Sequence, residues 1–242
     1  MASWIVHLRI AEKLLQVIPD LDAGQFAIGN VAPDSGIPDE NWENFTPPSE
    51  ITHFHPQDPS DLGSEDLRFF RRYLKDVPQE QDQKFSFLLG YFFHLITDNL
   101  WWLEVGQPTQ EKHQAEFEAD PRFIWEVKKD WYGLDFAHVR AHPEGIFWQV
   151  FLPAEYSEDY LDFFSSDAIP WQLAYIKTYY QRQDGDVEKK VRLEDNIYLT
   201  ADEMDNFINR AAGILAEIYR KNWQDRAEVS DLTSALQLVG YL

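Results

Sequence analysis

The 242-residue chain contains no cysteine. This absence excludes disulfide bonds, cysteine nucleophiles and thiolate metal sites. Methionine is also rare, with two residues in the whole chain. Any metal ion must therefore be held by histidine nitrogen and carboxylate oxygen, a ligand set that suits zinc and, less selectively, Mn or Fe.

Basic residues are scarce relative to acidic ones. The chain has 21 Lys and Arg against 42 Asp and Glu, which gives a formal net charge of -21. Binding to a phosphate backbone relies on Lys and Arg, so this surface does not favour nucleic acid or anionic membranes. If the substrate carries phosphate, the charge favours a small phosphoester over a polymer.

Targeting segments, repeats, low-complexity tracts and linkers are also missing from the sequence. The N-terminal stretch MASWIVHLRIAEKLL has no basic region followed by an apolar run, so we expect no signal peptide and a cytoplasmic protein. The longest apolar stretch is interrupted by His94, Asp98 and Asn99, which are costly in lipid, so we expect no transmembrane segment. The sequence predicts a single all-α domain over residues 1–242.

The segment FSFLLGYFFHLITDNLWWL predicts a buried central helix over about residues 84–103, because it is apolar on nearly every side. His94 and Asp98 are four residues apart and therefore lie on one face of that helix. Gly90 lies one turn earlier on this face, where it leaves room for something to approach. On these residues alone, a pair of metal ligands and a sealed histidine–aspartate hydrogen bond are both open.

Other segments predict surrounding helices by their spacing of apolar residues. The first begins after Ser3 and points His7 inward. A last long helix begins at a capping box of Thr200 and Glu203 and runs to about Trp223. The remaining predictions are a helix over residues 60–76, two helices over 109–142 broken near Asp120-Pro121, and a helical pair over 152–182.

Residues 24–60 are rich in Gly, Pro, Asn, Asp and Ser and predict a long loop, which in a compact domain is usually functional or disordered. Aromatic residues within it favour a loop that packs against the domain. Asp34 follows a proline in a turn-prone part of this segment. His53 and His55 alternate around one phenylalanine, so one of them could be a ligand.

Two further sets of polar residues lie after the central helix. Glu104, His113 and Glu116 form a weak candidate for a second metal site. His138 and His142 are four residues apart at the end of a helix. The charged residues around both sets favour a position on the solvent-exposed surface.

Four motifs occur in order along the chain. They are Trp4-x2-His7, Gly29-Asn30-x2-Pro33-Asp34, Glu50-Ile51-Thr52-His53-Phe54 and Gly90-Tyr91-Phe92-Phe93-His94-x3-Asp98. In this order they resemble the zinc-dependent phospholipase C family, which is related to the P1-type nucleases, and in particular its short bacterial members of unknown substrate. The later stretch Asp159-Tyr160-Leu161-Asp162-Phe163 is also similar to those proteins.

This resemblance implies an all-helical fold with zinc at the bottom of a cleft. It makes Asp34, His53, His94 and Asp98 ligands of one zinc, with His7 on a neighbouring zinc that Asp98 bridges. Asp34 is also the implied residue that activates or orients the attacking water.

The sequence departs from the family pattern at two points. Three residues precede Trp4, whereas the secreted enzymes begin at that tryptophan and bind zinc through its amino group. The further zinc of the family uses a histidine and then His-x3-Glu, and the spacing of Glu104, His113 and Glu116 does not match it. One or two ions are therefore expected in place of three.

Two functions remain open at this stage. The first is a metal-dependent phosphoester hydrolase, because zinc can lower the pKa of its water to about 7. The second is a non-catalytic helical protein in which the same residues hold a structural metal, whose shell is closed by protein ligands. The helical HD-type phosphohydrolases require an adjacent His-Asp pair, which this sequence does not contain.

Overall fold

The computed structural model describes residues 1–56, 63–79, 82–182, 191–192 and 195–242, and in these ranges the protein is all-α, as predicted. Ten α-helices lie in the described ranges, with one pair of two-residue strands, β1 (Ile37–Pro38) and β2 (Phe45–Thr46). The helices are α1 (Trp4–Leu15), α2 (Ala23–Gly29), α3 (Ser49–Thr52), α4 (Asp66–Phe69), α5 (Asp82–Trp101), α6 (Gln107–Lys112), α7 (Gln114–Ala119), α8 (Ile124–Ala141), α9 (Ala168–Gln181) and α10 (Ala201–Tyr219). The single domain over residues 1–242 stays a prediction.

Helix α5 is the central helix, and its position confirms the prediction for residues 84–103. Nearly every side chain from Phe85 to Trp101 is buried. The helix continues through a π-helical turn at Trp102–Gly106 before α6 begins. In the described part of the chain, no helix combines the length and the apolarity that crossing a membrane requires.

Helix α2 crosses α5 at very short range, because each helix has a glycine at the crossing point. A Cβ atom on Gly29 would lie 2.1 Å from the carbonyl oxygen of Phe87, and one on Gly90 would lie 2.4 Å from the carbonyl oxygen of Phe26. The room that Gly90 leaves is therefore filled by the backbone of α2. No side chain larger than hydrogen fits either position without moving a backbone.

The prediction of one long loop over residues 24–60 is wrong at its beginning, where α2 forms. Asp22 caps this helix by accepting a hydrogen bond from the amide of Gln25. Two glycines lower the intrinsic helix propensity of the segment, but packing against α5 outweighs that cost. The rest of the segment is a 3₁₀ turn (Ala32–Asp34), the short hairpin β1–β2 and α3.

The outer helices match the sequence predictions with one exception. The capping box of Thr200 and Glu203 starts α10, and the break at Asp120-Pro121 separates α7 from α8. Within 60–76, the described residues form α4 and a π-helical turn at Phe70–Leu74, while residues 60–62 lie outside the described ranges.

The exception is the first half of the helical pair predicted over 152–182, since residues 154–161 have no regular secondary structure. Side chains satisfy the backbone of this segment in place of helical hydrogen bonds. Gln25 donates to the carbonyl of Glu155 at 2.7 Å, and Lys177 donates to that of Ala154 at 2.5 Å. Only α9 forms in the second half.

Candidate metal centre

Five histidine and aspartate side chains converge at one end of the α5 core. His7 comes from the core-facing side of α1, Asp34 from the 3₁₀ turn after α2, and His53 from the end of α3. His94 and Asp98 come from α5. Four of the five are almost completely buried, and the Asp34 side chain is 16% exposed.

Asp98 lies in the middle of the group. Its Oδ2 is 3.3 Å from His94 Nε2 and 3.6 Å from His53 Nε2, and its Oδ1 is 3.4 Å from His7 Nε2. His53 Nε2 is also 3.3 Å from Asp34 Oδ1 and 3.3 Å from His94 Nε2. Within the described residues, two sets have ligand atoms that all lie within 4.8 Å of one another: His7, His94 and Asp98, and Asp34, His53 and His94.

The outer nitrogens of two of the histidines have hydrogen-bond partners. His94 Nδ1 lies 2.8 Å from the carbonyl oxygen of Asn30, which can only accept, so Nδ1 carries a proton. His53 Nδ1 lies 3.0 Å from the hydroxyl of Thr52. These contacts orient the rings so that both Nε2 atoms face each other across the centre.

This arrangement fits a cation. Two ring nitrogens with facing lone pairs repel each other unless a proton or a metal lies between them. His7 Nε2 and Asp98 Oδ2 are buried without a hydrogen-bond partner, which is costly for a polar atom. Metal-ligating histidines characteristically donate a hydrogen bond from their other ring nitrogen to an acceptor such as a backbone carbonyl, as His94 does here.

Residues at the start of α1 hold both carboxylates in place. The backbone amide of Ala2 donates to Asp98 Oδ1 at 2.7 Å, and the indole of Trp4 donates to Asp34 Oδ2 at 2.8 Å. Between them, Ser3 occupies the N-cap position of α1 but makes no side-chain cap. Its hydroxyl donates instead to Asp135 Oδ1 at 2.8 Å. No sequence pattern points to Asp135, because only the packing of α8 against α1 brings it to Ser3.

The pKa values of His7, Asp98 and Asp34 favour the binding of a cation. Burial alone would lower the pKa of His94, but the charge and hydrogen bond of Asp98 raise it. Burial lowers the pKa of His7 to about 4, with help from the neighbouring charge of His94. Burial alone would raise the pKa of Asp98, but the N-terminal amino group and His94 hold it well below its usual range. Burial alone would also raise the pKa of Asp34, but the hydrogen bond from His53 and the charges of His94 and His53 together lower it. At neutral pH the site thus offers neutral His7 and two ionised carboxylates.

Asp135 supports a prediction about the pH dependence of stability. Burial raises its pKa from the ordinary value of 3.8 to about 7, although the hydroxyls of Tyr180 and Ser3 donate to it. The folded state therefore binds this proton more tightly than the unfolded state, so stability decreases as the pH rises from about 4 to about 7. We expect the stability of Asp135→Asn to lack this dependence on pH.

The measurement is urea unfolding of wild type and Asp135→Asn between these pH values, with EDTA present so that metal binding does not contribute. The free energy of unfolding of the wild type should fall relative to that of the variant as the pH rises. A difference that is independent of pH would contradict this assignment.

Aromatic side chains form a partly exposed surface beside Asp34, which we call the aromatic wall: Trp4, Trp42, Trp171, Tyr175 and Tyr179. Trp4 lies edge-on to Tyr175 at 6.0 Å between ring centroids, and Trp171 and Tyr175 are stacked at 5.6 Å. Trp42 lies 5.5 Å from Tyr175 and is 52% exposed. The wall thus extends from the hydrogen-bond partner of Asp34 to the solvent.

The structure does not bring together the three residues of the weak candidate for a second metal site. The Glu104 carboxylate is engaged by Arg210 and by the hydroxyl of Tyr241. His113 lies 3.5 Å from Glu116, and these two residues and Glu104 are not among the sets of converging ligands in the described ranges.

The other histidines lie apart from the converging sets as well. His55 is half-buried, and its ring lies 5.8 Å from that of His53. His138 and His142 stack on each other at 4.1 Å, and His142 Nδ1 donates to the carbonyl of His138.

Comparison with known families gives one match. The profile of the family described as zinc dependent phospholipase C matches residues 6–222. This range contains all five converging residues and runs from within α1 to a position three residues after α10. Neither the curated proteins nor the solved structures give a match.

Proposed function

Because this chain belongs to the zinc-dependent phospholipase C family, we propose that it is a metal-dependent hydrolase of phosphoester bonds. The observation that supports this most is the convergence of five His and Asp side chains, with His7 Nε2 and Asp98 Oδ2 buried and unpartnered. Zinc is the metal that the family implies, and one or two ions fit the two overlapping sets of ligand atoms.

We take the ligand assignment from the resemblance to the family, and the short distances among the five side chains support it. Asp34, His53, His94 and Asp98 would hold one ion, and His7 with Asp98 would hold a neighbouring one. A zinc ion bound there supplies Lewis acidity, which polarises a phosphoryl oxygen and makes water a nucleophile at neutral pH. The hydrogen bonds that these residues make with Asn30, Thr52, Ala2 and Trp4 fix their orientation before any ion binds.

Asp34 is the residue that we assign to handling the attacking water. It has the most exposed side chain of the five, so a substrate or a water molecule can reach it. Its Oδ2 is fixed by the Trp4 indole, and its lowered pKa keeps it ionised and able to accept a hydrogen bond from water. Exposure at this position also favours an open catalytic site over a closed structural one.

The substrate that fits best is a small phosphoester. The net charge of -21 opposes polyanions. The aromatic wall begins beside Asp34 and offers a partly exposed apolar surface for the group esterified to the phosphate.

The test is hydrolysis by the zinc-loaded protein of p-nitrophenyl phosphate, bis(p-nitrophenyl) phosphate and a short-chain phosphatidylcholine, with metal content measured in the same samples. We expect Asp34→Asn to lower kcat by about a hundredfold or more, the usual effect of losing a general base. Glu40→Gln is the matched control, because Glu40 is an exposed carboxylate on the same loop. Full activity in Asp34→Asn would refute the role of Asp34. Stoichiometric zinc without hydrolysis of any ester would instead indicate a structural metal.

A further inference from the structure

Lys128 lies on α8 beside two tryptophans. Its ammonium lies over the ring of Trp125 at 5.0 Å and near that of Trp131 at 5.9 Å. Within the described ranges it makes no ion pair. The adjacent Lys129, in contrast, pairs with Glu126.

Lys128 lies on the face of α8 that packs toward the metal centre. Lys128, Tyr132 and Asp135 follow one another at helical spacing, and Asp135 accepts the hydrogen bond from Ser3 at the start of α1.

Unpartnered donors are concentrated next to this lysine. The indole nitrogens of Trp101 and Trp131 are buried without a hydrogen-bond acceptor among the described residues. The two rings meet edge to face at 5.1 Å, and Trp101 lies three residues after Asp98 on α5. A region with several donors and no acceptor of its own favours an anion.

We propose that Lys128 binds the phosphate group of the substrate, with its ammonium donating to a non-bridging phosphoryl oxygen. This inference rests on the proposed function, since it assigns the phosphate-binding cation of the same site. Burial lowers the pKa of Lys128, while the charges of Asp34 and Asp98 oppose that change and favour the ammonium form. A charge-assisted hydrogen bond of this kind is stronger than one between neutral groups.

The alternative for Lys128 is a purely electrostatic role, in which it balances the charge of the ligand carboxylates. Metal binding and phosphate binding separate the two roles. If Lys128 acts on phosphate, its loss leaves the zinc content unchanged and weakens the binding of phosphate. If it acts on the carboxylates, its loss changes zinc affinity.

The experiment compares wild type, Lys128→Met, Lys128→Arg and Lys129→Met, all zinc-loaded. Methionine keeps the length and the packing between two tryptophans but removes the charge. Inorganic phosphate is the probe, with its dissociation constant measured by calorimetry and its inhibition constant by hydrolysis of bis(p-nitrophenyl) phosphate. Thermal melting and zinc content establish that each variant is folded and loaded.

We expect phosphate to bind about tenfold to a hundredfold more weakly to Lys128→Met. Lys128→Arg should recover part of this loss, and Lys129→Met should bind phosphate as the wild type does. Unchanged phosphate affinity in Lys128→Met, loss of its zinc, or no phosphate binding by the wild type would each overturn the inference. Lysine-dependent phosphate binding without hydrolysis would support the inference and refute the proposed function instead.

Discussion

His94→Ala is expected to abolish stable zinc binding and to lower kcat/KM for phosphoester hydrolysis by about a thousandfold. Loss of a residue that only supports a metal ligand typically costs ten- to a hundredfold, and His94 is a direct candidate ligand. It is also the residue that both sets of converging atoms share. Its removal would therefore disable a one-ion site and a two-ion site alike.

The measurement is zinc content after dialysis against a low concentration of free zinc, together with thermal stability with and without added zinc. Binding to the folded state raises the melting temperature in proportion to the logarithm of zinc concentration above its dissociation constant. The wild type should show this increase and His94→Ala should not. His142→Ala is the control, because this exposed histidine lies outside both sets.

One outcome would refute the metal assignment as a whole. A wild type that stays free of metal in excess zinc and remains folded would make the five side chains a buried hydrogen-bonded cluster. The close contact of His94 Nε2 with His53 Nε2 would then require a shared proton. The raised pKa of His94, which burial alone would lower and the charge of Asp98 raises, is consistent with such a proton in the absence of metal.

The sequence predicts part of this site for simple physical reasons. His94 and Asp98 are four residues apart on a helix, so they had to share a face. The apolar stripe of α1 had to turn His7 inward. No spacing rule places Asp34 and His53 at the site, because they come from irregular backbone. Only the resemblance to a family connects them with the other three residues.

Other features depend on contacts between distant segments, which a single sequence does not contain. Asp135 meets Ser3 across 132 residues because α8 packs against α1. The composition of residues 154–161 permits a helix, but this segment has no regular secondary structure. Its backbone hydrogen bonds go instead to Gln25 and Lys177, which are remote in sequence.

Gly90→Ala is expected to destabilise the protein by about 2 kcal/mol, although alanine is the better helix former. The new Cβ would lie 2.4 Å from the carbonyl oxygen of Phe26 and 2.9 Å from the amide nitrogen of Asn30, both backbone atoms that cannot rotate away. Overpacking of this kind costs about 3 kcal/mol, and the helix propensity of alanine returns about 1 kcal/mol. The measurement is guanidinium unfolding at constant m-value.

Gly213→Ala is the matched control, because Gly213 lies on α10 and an added Cβ there meets nothing within 4 Å. This variant should gain about 0.5–1 kcal/mol. The opposite signs of the two substitutions would show that the crossing of α2 and α5, and not glycine itself, determines the effect. Equal stabilisation by both would contradict the close crossing. Because Asn30 follows α2 and its carbonyl orients His94, pushing α2 away from α5 should also weaken zinc binding in Gly90→Ala and leave it unchanged in Gly213→Ala.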